Sequence, residues 1–264
     1  MKLTIITINF NDADALAATI DSVVKQTWQN FEYIIIDGGS TDKSVETIKQ
    51  YQDRITYWVS EPDNGIYQAM NKGIAEATGE YLLMLNAGDL LCNESVLSQV
   101  FFTDAHKEDL LAGDVYRALD GKIFSESRFP DNLSFNFLRK GTLSHQATFI
   151  KRSLHETVGM YDENLRYASD WKLFILAVCK HNASYKHLPF FTATCDCNGL
   201  TCNPENFSAM KLENEQTLKH YFPAFLTDYA AYDSLLNKQF RARLTRAWVL
   251  AKNNLKNMFR YILS

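Results

Sequence analysis

Four apolar runs in the first third of the chain each end in acidic or amide side chains. Asn9 closes the first run, Asp37 follows the second, and Asp63 lies in the loop after the third. Asn86 and Asp89 follow the fourth run. Carboxylates accept hydrogen bonds from bases and riboses, and one or two carboxylates often hold Mg2+ or Mn2+ together with substrate phosphates. These residue types therefore indicate a site for a nucleotide-like ligand and a divalent metal.

Asp170 is a separate candidate, because it stands at the start of a helix predicted over 168–181. The helix dipole alone also favours an acid in the first turn, so a structural role is the alternative here. The same alternative holds for the strand-end loops, since Asn, Asp and Gly are ordinary turn residues.

The chain lacks the short signatures of several other enzyme classes. It contains no G-x-G-x-x-G, G-x-x-x-x-G-K-[ST], G-x-S-x-G or H-E-x-x-H. This weighs against dinucleotide oxidoreductases, P-loop NTPases, α/β-hydrolases and zincin proteases. With 27 basic and 31 acidic residues the formal net charge is −4. That balance excludes a nucleic-acid binder held by a uniformly basic surface, so no nucleic-acid partner is expected.

Strand-like and helix-like segments alternate through the residues that carry these side chains. In chain order the predicted strands and helices are 3–10, 13–26, 31–36, 42–51, 55–59, 66–78 and 80–85. Strands that are apolar throughout and separated by single helices predict an α/β fold, with a Rossmann-like, mostly parallel sheet and helices on both faces. Ligands bind at the carboxyl ends of such strands. We therefore expect the polar loops to converge on one rim of the sheet.

The second half of the chain is less regular. Residues 109–127 predict a hairpin that turns at Asp120-Gly121, and the pattern is helical from 205 onward. We expect a catalytic domain over 1–205 and a helical C-terminal extension over 206–264.

Four sequence blocks, in this order, resemble family 2 glycosyltransferases of the inverting GT-A type. The blocks are the opening strand with Asn9, Ile36-Asp37-Gly-Gly-Ser-Thr-Asp42, Glu61-Pro-Asp-Asn-Gly65 followed by Asn71, Lys72 and Gly73, and Tyr81-Leu-Leu-Met-Leu-Asn-Ala-Gly-Asp89. The resemblance extends over roughly residues 2–200. It implies the GT-A fold, a nucleotide-sugar donor, usually a UDP-sugar, and Mn2+ or Mg2+ as the cofactor. It also implies a saccharide or lipid-linked acceptor in cell-surface polysaccharide or glycolipid biosynthesis.

The resemblance further implies a role for each matching residue. Asp170 would be the catalytic base, Asp89 would bind the metal, and Asp37 would contact the nucleobase. His145 and Trp171 would lie on the acceptor side. The nucleotide-sugar site would be completed by Thr7, Asn9, Gly39, Asp63, Asn71, Lys72, Gly73 and Asn86.

Two departures from the family pattern keep other functions open. Asn86 and Gly88 replace the earlier acids of the D-x-D motif, and Ser169 precedes Asp170 where the family has a second acid. One alternative is therefore a non-catalytic sugar-nucleotide-binding module with a degenerate D-x-D. Another is a sugar-1-phosphate nucleotidyltransferase, although its Gly-rich loop should follow the first strand, where this chain has Asn9-Phe-Asn-Asp12.

The last part of the chain carries a segregated charge. Residues 234–264 contain seven basic and no acidic residues, which leaves 20 basic and 31 acidic residues in the rest. Apolar and basic residues fall on different sides of a helical wheel, which is typical of an interfacial membrane helix. The alternatives are a helix docked on the catalytic domain or paired in a homodimer.

An odd number of cysteines, five, in a chain of this size does not indicate a disulfide framework. Cys195, Cys197 and Cys202 cluster, but their C-x-C start differs from the usual spacing of structural zinc sites. The N-terminal apolar run is too short for a signal peptide, and no stretch reaches the length of a membrane span. The sequence therefore predicts a cytoplasmic protein, with any membrane contact peripheral at the inner face of the cell membrane.

Overall fold

A computed structural model describes residues 2–102 and 106–262, with side chains described as far as Trp248. The chain divides into two compact units, Met1–Asn214 and Glu215–Ser264. The strands are β1 Leu3–Asn9, β2 Phe31–Asp37, β3 Tyr57–Ser60, β4 Tyr81–Met84, β5 Leu90–Leu91, β6 Leu110–Leu119, β7 Lys122–Ser127, β8 Thr148–Lys151 and β9 Tyr185–Asp196. The helices are α1 Ala13–Val24, α2 Ser44–Gln50, α3 Ile66–Glu76, α4 Val96–Phe101, α5 Phe135–Leu138, α6 Leu154–Val158, α7 Ser169–Cys179, α8 Phe207–Tyr221 and α9 Pro223–Ile262.

The first four strands form the predicted parallel part of the sheet, in the order β3-β2-β1-β4. Their register places Asn9 beside Asp37, and Asp37 beside Ser60, at the carboxyl ends of three adjacent strands. The loops that follow these strands therefore meet at one rim, as expected for a doubly covered parallel sheet.

Side chains of β1 alternate between two apolar layers. Ile5 belongs to a buried cluster that includes Leu16 and Ile20 of α1, on one face of the sheet. On the other face α3 packs on β1 and β2, and a Cβ added at Gly73 would clash with Cγ2 of Ile6. Because both faces are covered, the strand is buried throughout, which explains its unbroken apolar sequence.

The second half of the sheet is mixed rather than parallel. β8 runs antiparallel to both β4 and β6, whereas β9 runs parallel to β6. β7 forms the predicted hairpin with β6, and Asp120 and Gly121 at its turn both have positive φ angles, of 50° and 72°. The short β5 pairs with the end of β9, and this pairing brings the segment after β4 to the residues around Asp196.

The second unit is helical. α8 crosses the boundary between the units at residue 214, and α9 contains 40 residues. None of the described helices combines the length and the apolar character that crossing a membrane requires.

Candidate active site

Asp37 is fully buried and organises the loop that follows β2. Its Oδ1 accepts hydrogen bonds from Asn9 Nδ2 at 2.8 Å and Ser40 Oγ at 2.6 Å, and its Oδ2 accepts from Ser40 N at 2.9 Å and Ser60 Oγ at 2.6 Å. Burial raises the pKa of Asp37, but these hydrogen bonds outweigh it and lower the pKa below its usual value. Four donors use the four lone-pair positions of a carboxylate, so the side chain predicted to contact the nucleobase is already satisfied within the protein.

Asn9 and Thr7 lie beneath the same rim. Thr7 Oγ1 donates to the Leu85 carbonyl at 2.7 Å and lies 3.0 Å from Tyr33 Oη, so this buried hydroxyl connects β1 to its neighbours. Asn9 donates to Asp37, while its buried Oδ1 has no hydrogen-bond partner. The side chain of Thr7 therefore serves the fold, and Asn9 carries an acceptor atom at the rim.

Two side chains from neighbouring loops pack closely against Gly38. A Cβ added at Gly38 would lie 2.7 Å from Asp63 Oδ2 and 3.2 Å from the ring of Phe10. Phe10 is 65% exposed, which is unusual for an aromatic residue so close to buried strands. Gly39 has a φ angle of +81° and packs against the backbone of Pro62, so both glycines permit close approach of the two loops. The sequence analysis missed Phe10, and its only sequence signal is an aromatic residue immediately after the β1 strand end.

The predicted residues of α3 mainly hold the surrounding structure. Asn71 Nδ2 donates to the Tyr161 carbonyl at 2.9 Å, and Asn71 Oδ1 accepts from Tyr161 N at 3.0 Å. Lys72 pairs with Glu61 at 2.6 Å and so fixes the loop that carries Asp63. Gly73 is a packing residue, since any side chain there would meet Ile6. The structure therefore brings Asn71 and Lys72 near the site as supports rather than as open ligand-binding groups.

Asp89 and Asn86 lie at the turn after β4. Asp89 Oδ1 accepts hydrogen bonds from Asp196 N at 2.9 Å and Gln146 Nε2 at 3.4 Å. Burial raises the pKa of Asp89 to about 6. Asn86 Oδ1 is buried without a hydrogen-bond partner, and Asn86 Nδ2 lies 3.3 Å from His145 Nε2. The turn thus contains a carboxylate and an unsatisfied amide oxygen, which are both hard oxygen donors.

Asp170 is the first-turn acid of α7, and its side chain is only 14% exposed. Tyr67 Oη donates to its Oδ1 at 3.1 Å, and His145 Nδ1 lies 3.1 Å from its Oδ2. Burial raises the pKa of Asp170, but the hydrogen bonds from His145, Trp171 N and Tyr67 and the charge of His145 lower it below the usual value. Asp170 is therefore ionised at neutral pH and can accept a proton.

One short segment connects Asp170 to Asp89. His145 and Gln146 are consecutive residues of a 3-10 turn that precedes β8. His145 contacts Asp170, and Gln146 donates to Asp89 Oδ1. Because the two bonds start from adjacent residues of a tight turn, the two carboxylates belong to a single site at the rim of the sheet.

Buried contacts around Asp170 hold the N-terminal end of α7 in place. Trp171 is buried, and its Nε1 donates to the Leu138 carbonyl at 2.6 Å, so the indole anchors the helix instead of presenting an open face. Glu213 accepts hydrogen bonds from three consecutive backbone amides, those of 166–168, at 2.9–3.0 Å. The sequence analysis missed Glu213, because no local pattern signals a contact across 45 residues.

The cysteines are all free thiols. Burial raises the pKa of Cys197 to about 11, so its thiol is protonated at neutral pH. Cys195 Sγ accepts a hydrogen bond from Gln146 Nε2 at 2.8 Å. Among the described side chains, no three His, Cys, Asp or Glu residues are grouped so that they could hold a metal ion.

Comparison with known proteins agrees with this architecture. The model of the glycosyl transferase family 2 matches residues 4–157. An uncharacterised glycosyltransferase of Mycobacterium tuberculosis is 35% identical over 183 residues, which cover 67% of this chain and 70% of that protein. A PGL/p-HBAD biosynthesis glycosyltransferase of Mycobacterium bovis is 34% identical over 173 residues, covering 64% of this chain and 66% of that protein.

Solved structures share the fold at low sequence identity. TarS of S. aureus in complex with UDP-GlcNAc has a TM-score of 0.64 and 18% identity, and the match covers 84% of this chain and 71% of that chain. The mannosyltransferase PcManGT of Pyrobaculum calidifontis, in complex with GDP-Man and Mn2+, has a TM-score of 0.57 and 17% identity, with 86% and 64% covered. Together with the family match, these likenesses show that the chain belongs to glycosyl transferase family 2 and is a glycosyltransferase with the GT-A fold.

Proposed function

We propose that the chain is an inverting glycosyltransferase that moves a sugar from a UDP-sugar to a hydroxyl group of a saccharide or lipid-linked acceptor. The observation that carries this proposal is the pair of carboxylates Asp170 and Asp89, held at one rim by consecutive residues of the 145–147 turn. Asp170, ionised and largely buried, suits a general base, while Asp89 shares the turn after β4 with Asn86, whose buried amide oxygen is unsatisfied. A base on one side and a phosphate-binding turn on the other are what direct sugar transfer requires.

The chemistry assigned to Asp170 is a single displacement. Its carboxylate takes the proton of the acceptor hydroxyl as that oxygen attacks the anomeric carbon and the bond to the nucleoside diphosphate breaks. The configuration at the anomeric carbon inverts, and no covalent intermediate on the enzyme is needed. A buried, hydrogen-bonded carboxylate is held in one orientation, which favours this geometry.

Asn86 and Asp89 fit a divalent metal, because one offers a buried oxygen with no other partner and the other a carboxylate. Two protein oxygens leave most of the coordination shell to ligand phosphates and water, as is common for Mg2+. When bound there, Mn2+ or Mg2+ would stabilise the negative charge on the leaving diphosphate. The complex of a structural relative with GDP-Man and Mn2+ supports this assignment.

We assign the nucleobase to the part of the rim where the exposed ring of Phe10 lies near the Asp63 carboxylate. The ring of Phe10 offers a stacking surface, and Asp63 offers a carboxylate oxygen to the N–H groups of a base edge. This moves the base contact from Asp37, whose lone pairs are already used, to Asp63. The UDP complexes of the structural relative TarS support a uracil nucleotide as the ligand.

Replacing Asp63 by alanine should weaken UDP binding about tenfold or more, since a hydrogen bond to a charged group contributes about 1.5–3 kcal/mol. Calorimetric titration with UDP measures the change. Asp53→Ala, which removes an exposed carboxylate elsewhere in the same unit, is the control and should bind UDP as the wild type does. Unchanged UDP affinity in Asp63→Ala, or an equal loss in both variants, would rule out Asp63 as the base contact.

The proposed activity is tested by release of nucleoside diphosphate. Donors are UDP-GlcNAc, UDP-glucose, UDP-galactose and GDP-mannose, each with Mn2+ or Mg2+. Water is the background acceptor, and p-nitrophenyl glycosides are the added acceptors. We expect release from a UDP-sugar that increases with one of the glycosides. A thermal shift with UDP-sugars but no release from any donor would favour the non-catalytic binding module, which the reduced D-x-D motif keeps as the second candidate.

We further propose that α9 binds an anionic membrane surface, where a lipid-linked acceptor would be found. Leu236, Phe240 and Leu244 follow one another at four-residue intervals and are 40–62% exposed. Residues 234–264 add seven positive charges and no negative ones, although the side chains beyond Trp248 lie outside the described residues. Exposed apolar side chains with basic neighbours match the two attractions of an interfacial helix. The PGL biosynthesis role in the name of one relative is consistent with a glycolipid product.

Replacing Arg241, Arg243 and Arg246 together by glutamine should weaken binding to phosphatidylglycerol vesicles about a hundredfold, at about 1 kcal/mol per charge. Co-sedimentation of the full chain with vesicles measures this. The matched control replaces the exposed Lys43, Lys49 and Lys122, and should bind like the wild type. No vesicle binding by the wild type, or a dimer lost in the arginine variant, would instead favour helix docking or self-association.

A further inference from the structure

The carboxylate of Asp170 is held from two sides by side chains distant in sequence. Tyr67 Oη, from α3, binds Oδ1 across 103 residues, and His145 Nδ1, from the 145–147 turn, binds Oδ2 across 25 residues. Each oxygen receives one of these bonds at 3.1 Å. An ionised carboxylate has about four lone-pair positions, and the backbone N–H of Trp171 takes a third, so one remains for a substrate proton.

Tyr67 is itself rigidly placed. It is buried, and its ring packs against that of Tyr161 with 5.7 Å between the centroids. The backbone of Tyr161 is in turn bound on both sides by the Asn71 amide, so α3 and the segment before α7 are joined around this ring pair. Burial raises the pKa of Tyr67 well above its usual value, so the hydroxyl stays a donor throughout the working pH range.

His145 connects the same carboxylate to the turn after β4. Its Nε2 lies 3.3 Å from Asn86 Nδ2, and its Nδ1 lies 3.1 Å from Asp170 Oδ2. An ionised carboxylate can only accept, so Nδ1 is the donor to Asp170. Contacts at both nitrogens hold the imidazole ring in one orientation. Its two contacts join the base on α7 to the strand end that precedes Asp89.

We propose that Tyr67 and His145 are positioning residues that hold the Asp170 carboxylate at the distance and angle needed to take the acceptor proton. This rests on the proposed transferase function. A reacting group must be held within about 0.5 Å and 10–20° of the productive geometry, and a displacement of about 1 Å can cost a hundredfold in rate. Both residues would act through Asp170, and the donor would bind without them.

The test compares Tyr67→Phe with Tyr161→Phe in the full chain, using the UDP-sugar that the wild type turns over. The hydroxyl of Tyr161 is buried without a hydrogen-bond partner, so its removal is a matched control that breaks no hydrogen bond. Tyr67→Phe should lower kcat about tenfold, with KM for the donor within about twofold. Loss of the donor raises the pKa of Asp170, so the acid limb of the kcat profile should move to higher pH. Tyr161→Phe should match the wild type.

The role of His145 is tested by replacing it with asparagine or glutamine, whose side-chain amides lie at different distances from the backbone. His145→Asn places an N–H near the former Nδ1 and should keep more of kcat than His145→Gln, whose N–H lies near the former Nε2. The positioning role is overturned if Tyr67→Phe keeps the wild-type kcat and pH profile, if Tyr161→Phe loses as much, or if His145→Gln is the better substitute. If the melting temperature shows that Tyr67→Phe does not fold, the comparison of His145→Asn with His145→Gln tests the positioning role instead. Absence of turnover in the wild type, even with water, overturns the proposed function and this role with it, whereas an active wild type with unaffected variants overturns the role alone.

Discussion

Replacement of Asp170 by asparagine should lower the rate of sugar transfer about a thousandfold while leaving the affinity for the nucleotide sugar within about twofold, as expected for loss of a general base. The amide has nearly the shape of the carboxylate and can still accept a hydrogen bond from Tyr67 Oη. It has no negative charge and cannot take a proton from the acceptor hydroxyl. The loss should therefore appear in kcat and spare donor binding.

Steady-state release of UDP, together with calorimetric binding of the donor, separates the two effects. A matched control is Asp131→Asn, because Asp131 also binds a histidine Nδ1, that of His187, at 2.9 Å, but is 88% exposed. It should transfer sugar at the wild-type rate. If Asp170→Asn retains more than about a tenth of the wild-type kcat, the base lies elsewhere.

The parallel half of the fold follows from local patterns in the sequence. β1 is buried over its whole length and β2 at every residue after Phe31, and a strand covered on both faces must be apolar at nearly every position. The hairpin turn at Asp120 and Gly121 is equally local, since both residues adopt the positive φ angles that this dipeptide tolerates. In these segments neighbouring residues alone determine the structure.

Helix α2 shows where local patterns fail. The sequence predicts a helix over 42–51 that Ser40 or Thr41 could cap, yet α2 begins at Ser44. The hydroxyl of Ser40 instead donates to Asp37 and accepts from Asn11 N, and the backbone N–H of Thr41 donates to Asn11. The loop uses its capping residues to join β1 and β2 at the rim, so tertiary contacts displace the start of the helix.

The candidate site itself was only partly predictable. The positions of Asp89 and Asp170 follow from strand-end and helix-start patterns, but their connection through His145 and Gln146 does not, since it depends on how β8 inserts beside β4. For the same reason sequence reasoning assigned Asp37 to the ligand and overlooked Phe10. A motif identifies which residue type occurs at a position, whereas the number of donors already bound to it depends on the folded loops.

Replacement of Asp89 by alanine should abolish the metal-dependent part of UDP binding, because Asp89 provides the carboxylate at the turn after β4. In the wild type we expect Mn2+ to tighten UDP binding about 10- to 100-fold, a range typical of a metal site with few protein ligands. Calorimetric titration of UDP with Mn2+ and with EDTA measures the difference. Asp14→Ala, which removes an exposed carboxylate, is the control and should keep the wild-type difference between UDP binding with Mn2+ and with EDTA.

A second variant tests the same assignment in the opposite direction. Asn86→Asp places a carboxylate where the neutral amide now offers a buried oxygen without a partner, so it should strengthen the effect of Mn2+ on UDP binding. A wild type that binds UDP equally well with Mn2+ and with EDTA would show that this turn does not hold a metal. Stronger binding in Asn86→Asp, together with loss in Asp89→Ala, would mean that the reduced motif lowers metal affinity without removing the site, because positions 86 and 89 of one turn would both supply an oxygen donor to the metal.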